Sequence, residues 1–197
     1  METCNLRLSR PLILLAAALF AAGVGTGTVT YLHRSPVREQ HLAGTAAWGQ
    51  QAAVAALAVL TLAIACWRSR RSGRRIWLLR PLGRPAASRV ARLTRDALGA
   101  RDRGPRPAAL GRAVLALTLA ALFGYGFWRA GFQVTNGLDP NATANAWGGP
   151  TYAGALACHY LDLVVIMAAL AWLLDRVLPG RTPAARGAGP VPAESAR

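Results

Sequence analysis

Residues 152–174 read YAGALACHYLDLVVIMAALAWLL, apolar throughout except where His159 and Asp162 stand three residues apart. At 1.5 Å per residue, a helix of this length crosses a hydrocarbon core of roughly 30 Å. The run therefore reads as a membrane span. Three more runs of comparable length and character lie upstream. Residues 11–32 (PLILLAAALFAAGVGTGTVTYL), 48–67 (WGQQAAVAALAVLTLAIACW) and 110–128 (LGRAVLALTLAALFGYGFW) bring the expected number of spans to four.

Composition agrees with that count. The 197 residues are 53% hydrophobic yet carry a formal net charge of +15, so apolar and charged residues must be segregated along the chain. All basic residues are arginine. With abundant Ala, Gly and Pro, this points to a GC-rich bacterial genome more than to selection for guanidinium chemistry. The first run has a competing reading as a cleaved signal peptide, because Arg7 and Arg10 precede a short apolar core followed by alanines. Apolar character continues well past the cleavable region, which favours a retained helix.

The arginines set the direction of threading, because cytoplasmic segments keep positive charge and translocated loops are poor in it. Residues 68–112 hold fourteen of the 23 arginines, the N-terminus holds Arg7 and Arg10, and the tail holds Arg176, Arg181, Arg186 and Arg197. Loops 33–47 and 129–151 hold only Arg34, Arg38 and Arg129. The expected fold is thus an all-α membrane protein of four transmembrane helices. Both termini (1–10 and 175–197) and segment 68–109 are cytoplasmic, the other two loops face outward, and the membrane is the bacterial plasma membrane.

Within the cytoplasmic segment, residues 86–100 have helical periodicity. Val90, Leu93 and Ala97 share one face, and Arg89, Arg92 and Arg95 share the opposite one. Such a basic amphipathic helix suits the surface of an anionic inner leaflet, where each arginine contributes about 1 kcal/mol. Nucleic acid would attract the same charge, but no reading motif or stacking array accompanies it, so a nucleic-acid partner is not expected. Pro81, Pro85, Pro105 and Pro107 separate this helix from the spans. The Pro/Gly/Ala-rich tail reads as disordered.

Loop 129–151 is dense in turn formers, among them Asn136-Gly137, Asp139-Pro140 and Gly148-Gly149-Pro150. Asn141-Ala142-Thr143 fits a glycosylation pattern that a bacterial origin makes irrelevant. Asn136, Asp139 and Asn141 offer oxygens to a calcium ion, too few carboxylates for a strong site. The three cysteines, Cys4, Cys66 and Cys158, are spread singly and read as structural thiols.

In this threading His159 lies roughly 10 Å and Asp162 roughly 15 Å below the outer end of the fourth span, too deep for headgroup contact. A carboxylate facing lipid at that depth costs about 2.5–3.5 kcal/mol, so the face shared by the two residues should turn toward the bundle. Arg129, Gln50, Gln51 and Tyr125 lie near the same level, and with His159 and Asp162 they form the candidate polar pocket. The terminal threonines of the first span, Thr26, Thr28 and Thr30, with Tyr31 and His33, could reach the same region.

Two readings of this cluster stand side by side. Buried polar groups hold transmembrane helices together at about 0.6 kcal/mol per hydrogen bond, and they also build ligand or proton pathways. No hydrolase, phosphate-loop or metal-ligand motif occurs, and His33 and His159 differ in depth by about two turns, which disfavours paired haem ligation. Neither enzyme activity nor a cofactor or metal is expected. Small residues at Gly23 and Gly27, Ala120 and Gly124, and Gly154 and Cys158 permit close helix approach. The expected function is that of an accessory or scaffold protein acting through helix contacts, in a homo-oligomer or a larger membrane complex. The alternative is a small transporter or sensor that takes a polar ligand or protons through the outer pocket.

Overall fold

The computed structural model describes residues 9–72, 84–98 and 107–178. All regular structure among them is helical: α1 (Arg10–Leu32), α2 (Trp48–Ser72), α3 (Arg84–Leu98), α4 (Pro107–Asn136), α5 (Pro140–Thr143) and α6 (Tyr152–Val177). α1, α4 and α6, with α2 over Trp48–Arg68, are long and apolar enough to cross a membrane. Cys4, Arg7, the prolines at 81 and 105 and the tail beyond residue 178 lie outside the described residues.

α4 organises the bundle, with α1 along one side, α6 along another and α3 against its N-terminal part. The α1–α4 seam is made of backbone because small residues bring the two helices together. A Cβ on Gly23 would strike the Trp128 carbonyl, one on Gly27 the Phe132 carbonyl, and one on Gly131 the Phe20 carbonyl. Of the small-residue pairs in the sequence, Gly23 and Gly27 therefore form an interface. Gly124 does not depend on being glycine, since a Cβ there meets only the Leu19 side chain at 3.4 Å. The close approach also lets Thr135 Oγ1 donate across the seam to the Val24 carbonyl at 3.0 Å.

α4 extends further than the third apolar run. The helix continues through 129–136, which read as the start of an outer loop, and stops only where the Asn136-Gly137 turn breaks it. Gly137 N–H donates back to Gln133 O at 3.0 Å and closes that last turn. Arg129 therefore stands on a helix, about 10 Å below its end.

At the other end of the bundle, α3 turns its apolar face inward. Leu93 is buried with Ala113, Ala116, Leu119, Leu170, Leu174 and Leu178, and Val90 packs beside them. Arg89 Nη1 lies 3.2 Å from Asp175 Oδ1 at the end of α6, and its Nη2 donates to the Leu178 carbonyl at 3.3 Å. Of the three arginines expected at the lipid surface, Arg89 bonds the end of α6, Arg92 is half-buried and Arg95 is exposed. The reason is competition. Apolar side chains at the ends of α4 and α6 offer Leu93 a packed site, and Asp175 offers Arg89 an opposite charge at close range.

Candidate functional site

Three helices bring polar side chains together in the half of the bundle nearest the loops joining α1 to α2 and α4 to α6. Arg129 on α4 is the hub. Its Nη2 donates to His159 Nε2 on α6 at 2.6 Å, and its Nη1 donates to Gln133 Oε1 one turn along α4 at 2.9 Å. Because a guanidinium only donates, His159 Nε2 must accept, and the neutral ring then carries its proton on Nδ1. Gln133 is buried, and the Phe132 ring stands 5.3 Å from the Arg129 guanidinium carbon.

One turn deeper on α6, Asp162 Oδ2 accepts from Gln51 Nε2 on α2 at 3.3 Å. Gln51 is only 4% exposed, and its Oε1 has no hydrogen-bond partner. His159 and Asp162 share a face of α6 as their spacing predicts, yet each bonds a different helix and not the other. No ion pair joins Arg129 to Asp162 among the described residues. The cluster thus consists of two adjoining hydrogen-bonded pairs that tie α4 to α6 and α2 to α6, with one buried acceptor left over.

Of the six pocket residues read from the sequence, Arg129, Gln51, His159 and Asp162 converge. Gln50 does not: neighbouring helical residues point about 100° apart, so when Gln51 faces α6 its neighbour faces outward, and it is exposed. Tyr125 does not either. It is 55% exposed and stacks on Trp128 at 5.4 Å, and Trp128 in turn stacks on Phe132 at 5.2 Å. Thr26, Thr28 and Thr30 return their hydroxyls to carbonyls of α1, and His33 is exposed with Nδ1 2.8 Å from Val29 O. His33 and His159 are not brought together. Among the described residues no group of three His, Cys, Asp or Glu side chains is placed to hold a metal.

Two features left little signal in the sequence. Gln133 lay in a segment read as loop; the signal was the absence of any proline or turn-forming pair between Arg129 and Asn136. The second is the way the α1–α2 and α4–α6 loops are tied. Asn141 Oδ1 accepts from Glu39 N at 2.9 Å and its Nδ2 donates to Val37 O at 2.8 Å. Asn145 Oδ1 accepts from Leu42 N at 2.9 Å, His41 Nδ1 lies 2.6 Å from Ala144 O, and Ala47 N–H donates to Trp147 O at 2.7 Å. The amide that fits a glycosylation pattern is therefore a structural clamp. Asp139, too poor in carboxylate neighbours to be expected as a calcium ligand, caps α5 by accepting from Asn141 N at 2.9 Å. Two tyrosines complete the frame, as Tyr152 and Tyr160 of α6 donate to Val134 O and Ala130 O of α4 at 3.0 and 2.9 Å.

Compared with protein-family models, with curated proteins and with solved structures, the chain matches none of them.

Proposed function

We propose that this chain is a four-span protein of the bacterial plasma membrane, with both termini and α3 on the cytoplasmic side, that acts through helix contacts as an accessory or scaffold subunit. The observation that carries this reading is the unequal attachment of α2. α1 and α6 each pack along α4, whereas α2 meets the bundle chiefly along α6 and leaves Leu57, Val59, Leu60, Leu62 and Ile64 exposed. A span anchored by Gln51 and otherwise uncovered is suited to lateral packing with another helix, in a second copy or in a larger complex. Purification in mild detergent tests this. Particles heavier than one 20.8 kDa chain, with slowed exchange along α2, are expected. A lone monomer at membrane-like protein density would overturn the reading.

A second reading, a transporter or sensor with an outward-facing polar site, is favoured by one specific observation: the unpartnered Gln51 Oε1 beside Asp162. A buried acceptor without a donor costs about 1–3 kcal/mol, and a ligand hydroxyl, an amine or a water would relieve it. Asp162→Asn keeps the shape and removes the charge. This reading expects the substitution to abolish ligand-dependent thermal stabilisation, and an unchanged response sinks it. No catalytic activity belongs to either reading.

A further inference from the structure

Where α1 ends and α4 hands over to α5, Tyr31, residues 34–36, Arg38 and residues 138–141 line a cavity of about 380 Å³. Three charged side chains share its wall, Arg34, Arg38 and Asp139. None is ion-paired with another among the described residues. The Arg34 guanidinium carbon lies 4.0 Å from the centroid of the Tyr31 ring, and its Nη1 donates to Tyr31 O at 2.9 Å. Arg38 has no side-chain partner among the described residues, and Asp139 uses only Oδ1, on Asn141 N. The wall is preorganised, because the Asn141 amide fixes the backbone at Val37 and Glu39.

Two arguments point to a ligand with both signs of charge. Loops on this side of the bundle carry few arginines, and the two not committed inside it, Arg34 and Arg38, both line this one cavity. Their forked donors match phosphate oxygens, while an unpaired carboxylate in the same wall matches an ammonium. The cavity lies at the ends of two spans beside a tyrosine, the level at which lipid headgroups sit. Ligand sites start at roughly 300 Å³, so this one is large enough to admit a headgroup. We propose that this cavity binds a phosphoethanolamine group, with Arg34 and Arg38 on the phosphate and Asp139 on the ammonium. A phospholipid headgroup and the free compound in solution offer this same chemistry.

The test uses the full-length protein in detergent, with native mass spectrometry of retained lipid and calorimetry with free phosphoethanolamine. Retention of phosphatidylethanolamine over phosphatidylglycerol by about tenfold is expected, equal to about 1.4 kcal/mol of discrimination. Binding of free phosphoethanolamine would identify a soluble source; its absence beside lipid retention would identify the membrane. The double variant R34Q/R38Q should lose retention of both lipids by about tenfold or more. Asp139→Asn, which still caps α5, should remove the preference between the two lipids while phosphate binding persists. Equal retention of both lipids by the unaltered protein, together with no response to free phosphoethanolamine, overturns the proposal. So does undiminished retention by R34Q/R38Q. Should that variant fail to fold, hydrogen exchange in the unaltered protein decides: amides 34–39 must slow when the headgroup is added, and unchanged exchange counts against the site.

Discussion

Gly23→Ala is expected to lower the thermal midpoint of the protein sharply, whereas Gly25→Ala, two positions along the same helix, leaves it unchanged or raises it. Within α1 either alanine gains roughly 0.5–1 kcal/mol of helix propensity. At Gly25 nothing lies within 4 Å of the added methyl, so that gain survives. At Gly23 the methyl meets the Trp128 carbonyl and the Phe132 amide, both backbone atoms of α4 that no rotamer change can move. Overpacking costs about 1–3 kcal/mol even where side chains can adjust, and here whole helices must separate, so the penalty outweighs the propensity. Separation also stretches the Thr135 to Val24 hydrogen bond. Thermal unfolding of the two variants in one detergent checks the contrast. Equal midpoints would mean that α1 does not pack on α4 through this seam.

Arg129→Met should destabilise the bundle by more than Arg129→Lys, although methionine is the better membrane residue. Removing a guanidinium from the interior of a span recovers at most about 2.5–3.5 kcal/mol, and only where the charge faces lipid. Arg129 is half-buried and bonded twice, so little of that is recovered. Its loss strands His159 Nε2 and the buried Gln133 Oε1, at about 1–3 kcal/mol each. An ammonium group lacks the planar fork that reaches His159 and Gln133 together, so lysine should lose about half as much as methionine. The ordering is read from denaturation of the three proteins in the same micelles. Arg129→Met matching the unaltered protein would show that the polar cluster contributes nothing to holding α4 and α6 together.

Four long apolar runs were legible because lipid demands length and hydropathy of any span, and both are local properties of sequence. The positions of Gln51 and Asp162 were legible for a related reason: a polar side chain inside such a run must find a partner within the bundle. What could not be read was which helix supplies it. Gln50 and Gln51 are identical in sequence terms and differ only in their angle around α2. The reach of α4 to Asn136 was obscured because Arg129 and Gln133 look like the start of a loop until each is seen to satisfy the other. α3 shows the same limit at the other end of the bundle. Its amphipathic pattern is plain, but periodicity does not say whether Leu93 meets lipid or the ends of α4 and α6. The loop clamp through Asn141 left no trace, since it depends on contacts about a hundred residues apart.

The account depends on four membrane crossings that leave α3 and the α4–α6 loop on opposite sides, and labelling from one side tests that most directly. In a chain with its three cysteines replaced, single cysteines at the exposed positions Ala91 and Ala142 report on the two regions. An impermeant maleimide added to intact cells should label Ala142→Cys at once and Ala91→Cys only after the membrane is permeabilised. Labelling of both positions alike in intact cells would contradict the threading, and with it the outward placement of the Arg129, His159 and Asp162 cluster.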